Sequence, residues 1–577
     1  MRGIIACLIV VSFFSAASVA TARSGEDETS SNENAKQPAV KSDNSTTTDA
    51  LGNEREAVES ELQELRDLVQ SQTDELRDLR LRLAAVEAGG TALKETPATP
   101  AVIQPPTPAT PYVGPAALVA KQDTGRNPDE NKSPLSFKIG SAEFTPGGFL
   151  DFTTFYRSAN VGSGIATAFG TIPFSNTLPQ GRLSETRPSA QYSRLSLMVD
   201  THVSDSTTVK GYVESDFLGF QPANAYQTAN SDSLRLRVYW ADVRHGKWEV
   251  LAGQAWSLMT PNRVGISPLT QDVFYSLDED PNFQVGLTWL RQPQLRVVYH
   301  PTTNWAVGFS LENPQQFAPA SVVFPSTTFT AQFDNGSGST LAPSAATNTA
   351  VPNLHPDIIV KTAYDGHLAD HSFHVEAVGL IRSFKVLNTL TAAPTTSTIT
   401  GGGGSLNFNF ELIHNLRLIA NSFWSDGGGR YIFGLGPDAI VKPDGTLSAV
   451  HSGSGVAGFE YQATQHYMFY GYYGGAYYGR NFGFFPSTPT SSCDGVSGFT
   501  CVGFGFPGSE TTSNRAVQEA TFGVIPTIWS NENYGRVQII TQYSYLIRSP
   551  WSISSTPGTP NNAHVNMVYA GLRYILP

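Results

Sequence analysis

Leu234-Arg235-Leu236-Arg237-Val238-Tyr239-Trp240 decides how the rest of the chain is read. In an extended segment successive side chains point to opposite faces. Leu234, Leu236, Val238 and Trp240 then share one face, and Arg235, Arg237 and Tyr239 share the other. The pattern is one unit of a repeat that runs from Phe144 to Leu576, an alternating run of roughly ten to fifteen residues followed by a turn. The gaps between runs alternate, short then long. In hydrocarbon every backbone amide must be paired, so strands cross a membrane only as a closed barrel. An arginine facing lipid at the bilayer midplane costs about 2–4 kcal/mol. Arg235 and Arg237 are therefore expected to face an aqueous lumen.

Working outward from that segment, sixteen strands are expected at 144–157, 190–203, 206–218, 232–244, 247–258, 282–300, 304–314, 356–366, 371–385, 403–413, 416–426, 450–463, 466–479, 513–529, 533–548 and 563–576. Ser204-Asp205-Ser206, His245-Gly246, Ile413-His414-Asn415, Thr464-Gln465 and Asn531-Glu532-Asn533 mark tight turns, expected on the periplasmic side. The long gaps at 158–189, 259–281, 315–355, 427–449 and 480–512 are expected as outer loops. The fold class is all-β, an antiparallel transmembrane barrel preceded by a helical coiled coil.

The alternation sorts lipid from lumen in other strands too. Leu195, Leu197 and Val199 face outward in the second, with Arg194, Ser196 and Asp200 inward. In the fifteenth, Val537, Ile539, Tyr543 and Tyr545 face outward, and Arg536, Gln538, Gln542 and Ser544 inward. The eleventh adds an inward Arg417 and Asn421. The sixth, 282–300, is too long for a plain span. Its Arg291-Gln292-Pro293 predicts a bend or bulge, since proline cannot donate to the ladder.

Composition agrees. Charged residues make up only 15% of the 577, which suits an outer face that meets lipid. The formal net charge of -12 argues against nucleic acid as a partner, because phosphate contact needs basic surface. Residues 1–20 read as a signal peptide, with Arg2 before an apolar run and Ser18-Val19-Ala20 at the cleavage position. Ile4-Ile5-Ala6-Cys7 only superficially resembles a lipoprotein box, because Cys7 stands at the start of the apolar run. Cys493 and Cys501 share one long loop, and an oxidising envelope favours a disulfide between them. Neither cysteine has a histidine nearby that suggests zinc or catalysis. No metal or cofactor is implied.

Before the barrel, residues 21–50 are polar and expected to be disordered. Residues 51–88 carry heptads, with Leu62, Val69, Leu76 and Leu83 at a, and Val58, Leu65, Gln72, Leu79 and Val86 at d. The flanking pairs Glu61–Arg66, Glu75–Arg80 and Arg82–Glu87 are opposite in charge, which supports a parallel arrangement. Arg82-Leu83-Ala84-Ala85-Val86-Glu87 resembles a short motif of parallel trimeric coiled coils, so a homotrimer is expected. The proline-rich 89–134 is a semi-rigid spacer leading to the barrel domain at 135–577. The N-terminal segment is expected in the periplasm, where it either contacts peptidoglycan or only trimerises.

Several runs resemble the DcaP-like trimeric outer-membrane porins. They are Ser193 to Leu197, Gly211 to Gly219 (GYVESDFLG), Leu234 to Tyr239 (LRLRVY), Leu251 to Trp256 (LAGQAW) and, most distinctive, Pro281 to Pro314. The specific part covers about 190–314; later strands match in architecture. The last strand, Tyr569 to Leu576, is similar to the assembly signal of outer-membrane barrels, with Leu576 in place of the final aromatic. The resemblance implies a bacterial outer-membrane location, a trimeric sixteen-stranded barrel and passage of small anions, especially dicarboxylates. Phosphate-selective porins share the layout and are the alternative. The long outer loops and the loop disulfide depart from the family's pattern.

The chemistry follows from the inward cations. Guanidinium groups make planar, bidentate contacts to carboxylate or phosphate, and rings of Arg and Lys are how pores select anions. The candidates are Arg194, Lys210, Arg235, Arg237, Arg291 and Arg296, joined by Arg263 if its loop folds into the pore. The bland alternative is that each pairs with a lumenal carboxylate such as Asp200, Glu214 or Asp216 and stiffens the wall. An outer-membrane enzyme needs a nucleophile and base together. His202, His245, His300 and His414 are scattered among short turns, with no such grouping. A trimeric adhesin builds one small barrel from three chains, whereas this chain alone supplies about sixteen strands.

Overall fold

The computed structural model describes residues 133–577, apart from 220–231, 270–273, 279–280, 282, 335–350, 433–435, 510–512 and 554–557. The signal peptide, the polar segment, the coiled coil and all but the end of the spacer lie outside the described residues.

Eighteen strands share one sheet. Two are short: Phe137–Ile139 and Glu185–Ser189 pair onto the first long strand. The other sixteen build the wall. They are β1 Ala142–Arg157, β2 Arg194–Ser204, β3 Thr207–Asp216, β4 Arg235–His245, β5 Trp248–Trp256, β6 Arg291–Tyr299, β7 Trp305–Glu312 and β8 Asp357–Leu368. Then come β9 His371–Asn388, β10 Thr395–Ile413, β11 Leu416–Asp426, β12 His451–Thr464, β13 Tyr467–Tyr478, β14 Asn514–Asn531, β15 Gly535–Pro550 and β16 Ala563–Ile575. Each pairs antiparallel with the next. β16 returns to β1 from Phe149↔Ile575 to Arg157↔Met567, which closes the ring and removes every sheet edge.

One rim carries turns and the other carries loops, as the alternating gaps imply. Two-residue turns join β4 to β5 and β10 to β11. Gly246 and Asn415 sit there at φ 56° and 67°, the left-handed region those residue types tolerate. Both ends of the barrel chain meet at this rim, where Ser133 Oγ donates to Pro577 O at 2.8 Å. Connections at the far rim fold inward or upward. In the one after β13, Asn481–Pro486 pairs with Phe499–Phe504, and the Cys493–Cys501 disulfide ties the arm near its tip.

Three expectations need correction. In β4 the partner of Glu214 is Val238 and that of Ser215 is Leu236, so Arg237 is the extra residue of a bulge. Arg235 and Arg237 keep their inward direction, but beyond the bulge the faces exchange. Val238 and Trp240 are buried inside rather than facing out, and Tyr239 is exposed outside. Second, β6 begins at Arg291, not at 282. Residues 283–290 belong to the preceding connection, and they are apolar because they pack inside the barrel, not because they span it. Third, β9 and β10 run on to Asn388 and back from Thr395, so Gly401 and Gly402, left outside the expected strand at 403–413, are paired wall.

Elsewhere the predicted faces hold. Leu195, Ile539 and Tyr543 are exposed, while Arg194, Asn421, Gln538, Gln542 and Ser544 are buried.

Candidate functional site: a charged lumen crossed by one connection

The connection between β5 and β6, 257–290, crosses the bore. Irregular backbone buried in a barrel must find partners for its amides. Inward side chains of distant strands supply them. Lys361 on β8 donates to Thr260 O at 2.9 Å and Asn262 Oδ1 at 2.8 Å. The Asn262 N–H donates to Glu376 on β9 at 3.1 Å. Arg263 reaches both carboxylate oxygens of Glu460 on β12 at 2.7 and 2.6 Å. The Val285 and Leu277 N–H groups donate to Glu519 on β14 and Gln542 on β15, both at 2.9 Å. The condition attached to Arg263 is met: its loop lies in the lumen.

Aromatic rings continue the crossing. Trp256 at the end of β5 packs on Trp289 at 3.9 Å between ring centroids, Trp289 on Phe283 at 6.3 Å, and Phe283 on Phe169 of the connection after β1 at 5.7 Å. All four are buried. Period-two alternation carries no signal for such a seam, because all of these rings except Trp256 lie outside the wall strands.

The far wall is built to receive the loop. A Cβ added at Gly474 would overlap the Val285 carbonyl oxygen, and one at Gly286 would overlap the Gly455 carbonyl oxygen. Backbone therefore packs on backbone. Gly474→Ala is expected to cost about 1–3 kcal/mol of overpacking and to lift the loop from β13. Limited proteolysis of the loop should speed up. Cleavage at the parental rate would mean that the loop does not sit flush on this wall.

The candidate cations are distributed as follows. Arg235 forks onto Asp216 at 2.9 and 2.6 Å. Arg237 bonds Glu214 and Asp216, each at 2.6 Å. Arg194 lies 3.7 Å from Glu214, with its guanidinium 5.3 Å from the Phe149 ring centroid. These three form one cluster with two carboxylates. Lys210 stands apart beside Asp200 at 3.5 Å. Arg291 lies over Trp256 at 5.2 Å. Arg296 donates to Gln294 Oε1 at 3.0 Å and to the Trp256 carbonyl. Arg263 sits across the bore on β12. The sequence reading thus finds the inward cations, and the carboxylates it named as possible partners, Asp200, Glu214 and Asp216, are the ones found beside Lys210, Arg194, Arg235 and Arg237.

Two further arginines complete the cluster: Arg536, read as inward but not among the candidates, and Arg573, not singled out. Arg573 pairs with Asp151 at 2.8 Å and places its guanidinium 4.3 Å from the centroid of Phe149, so that ring carries two cations. Arg536 is buried inward at the same level as Arg194, since both register against the Phe149–Ile575 pair. Arg573 lies in the strand read only as an assembly signal. Its alternation with Leu572 and Tyr574 was the available clue.

The fold resembles that of a known channel. The outer membrane channel DcaP of Acinetobacter baumannii superposes with a TM-score of 0.51 at 16% identity, over 76% of this chain and 99% of that one. The chain has the fold of that channel. An outer-membrane-expressed OmpT of Vibrio cholerae matches at TM-score 0.40 and 11% identity, over 76% and 99%. An anion-selective porin from Comamonas acidovorans matches at 0.40 and 10%, over 75% and 99%. No protein-family model and no curated protein matches the chain.

Proposed function

We propose that the protein is an outer-membrane porin through which small anions, dicarboxylates foremost, diffuse passively. The turn rim and the N-terminal segment face the periplasm, and three copies assemble in parallel. The observation that carries the reading is the closed barrel, apolar outside and charged inside, with arginines gathered on one stretch of its inner wall. Near Phe149, on β15, β16 and β1–β4, five arginines (194, 235, 237, 536 and 573) face inward, with Asp151, Glu214 and Asp216 beside them among the described residues. In a confined lumen the nearest charges outweigh the acidic total of the whole chain.

Single-channel reversal potentials of the full chain in a salt gradient test this. An anion-sign potential is expected, with conductance blocked more strongly by succinate than by phosphate. A cation-sign potential would refute the anion reading. Stronger block by phosphate would favour the phosphate-selective alternative. Native mass measurement is expected to give a trimer that weakens when 51–88 is deleted; a monomer or dimer of the full chain would refute the assembly.

A further inference from the structure

The outer face of β10–β14 differs from the rest of the wall. Ser422, Gly455 and Gly475 stand side by side across β11, β12 and β13. In the next row Gly404 and Gly453 flank Trp424, whose ring lies over the Gly453 Cα. These small residues floor an outward concavity of about 770 Å3. Leu406 and Trp424 form one shore and Tyr477 the other, all exposed. Where most of the outer face presents bulky apolar side chains, this strip presents a trough.

At its loop-rim end the trough runs into Trp551. Tyr477 meets that indole edge-on at 6.0 Å, and the indole N–H donates to the Tyr478 carbonyl at 2.8 Å, which fixes the ring. Arg480 and Arg515 place guanidinium groups 5.7 and 5.9 Å from its centroid. Both arginines are exposed. Among the described residues neither has a carboxylate partner, unlike the inward arginines paired above. Tryptophan belongs at the boundary between hydrocarbon and water. Two like charges gathered on one ring repel each other unless an anion lies between them, and guanidinium pairs suit phosphate oxygens.

We propose that this face binds one anionic, phosphate-bearing acylated lipid, its phosphate held by Arg480 and Arg515 at Trp551 and an acyl chain laid in the trough. The complementarity is twofold: an apolar channel of small residues, and uncompensated cations at one end only. This rests on the barrel lying in a membrane but is independent of what the lumen conducts. The reversal-potential experiment can fail without affecting it.

The test is native mass spectrometry of the full chain released from micelles doped with lipid A or with phosphatidylcholine, whose headgroup is zwitterionic. The parent is expected to retain lipid A and to shed phosphatidylcholine. Arg480→Ser/Arg515→Ser should lower lipid A retention by about tenfold, the loss of a charge-assisted contact. Gly475→Leu fills the trough from its floor, where an added Cβ would make only ordinary contacts, the nearest at 3.5 Å to Gln518. It should lower retention as well. Heat-modifiable gel mobility checks that each variant is folded. Equal retention of the two lipids, or variants that hold lipid A like the parent, would overturn the proposal. So would variants that change the oligomer's mass and leave lipid retention alone, since the face would then be a contact between copies of the chain.

Discussion

Arg235→Ser/Arg237→Ser is expected to swing the reversal potential from anion to cation preference, and Glu214→Gln/Asp216→Asn to swing it further toward anions. The four side chains form one hydrogen-bonded cluster, with arginine–carboxylate contacts at 2.6 to 2.9 Å. Among the described residues, removing the two arginines leaves Arg194, 3.7 Å from Glu214, as the remaining cation beside the two acids. The wall there loses two positive charges. Removing the two acids takes two negative charges from the same place. The arginine variant also breaks buried pairs, at about 3–5 kcal/mol for an orphaned charge, so its melting temperature should fall. The acid variant orphans the arginines but leaves them hydrogen-bonding groups in place, and should fall less. Opposite shifts from the two variants would place this cluster in the path of the ion. If neither variant moves the potential, the cluster only stiffens the wall and the conducting path runs elsewhere.

The wall was readable in the sequence because a barrel strand obeys a single rule. Side chains alternate, and misplacing one by a residue would turn arginine to lipid. β11 and β15 follow that rule end to end, and β2 follows it as far as His202, where Val203 is inserted. β4 breaks it at Arg237, where a bulge inserts one residue, and no local residue type announces a bulge in so uniform a run. The glycines at 401 and 402 misled for a different reason. Glycine usually marks a turn, but here it lets Phe384 lie against the wall and thins the strand on both faces. The lumen was harder to foresee. Its partners are far apart in sequence, such as Arg263 and Glu460, 197 residues apart. Alternation says that both point inward but not that a loop carries one to the other.

Arg382 on β9 joins three separate segments. Its Nε pairs with Asp357 at the start of β8 at 3.1 Å, and its Nη1 with Asp438 of the connection after β11 at 2.8 Å. It also donates to the carbonyls of Gln315 and Gly427. Arg430 and Tyr431 converge on the same Asp357 at 3.4 and 2.9 Å. Arg382, Asp357 and Asp438 are wholly buried. Arg382→Ala removes a shared cation from two buried carboxylates, and the expected loss is about 3–5 kcal/mol. The barrel itself should survive, because its closure rests on backbone ladders. What should loosen are the connections at 313–334 and 427–450, read as faster proteolysis there and a larger single-channel conductance. Arg382→Lys keeps the charge but loses the planar fork that serves two acids at once, so only partial recovery is expected. Arg382→Leu combined with Asp357→Asn and Asp438→Asn removes the charges of both acids too and should recover more stability than Arg382→Ala alone. An Arg382→Ala protein that melts like the parent, with both connections equally protected, would show that the loops are held by their apolar contacts and that the ion network is incidental.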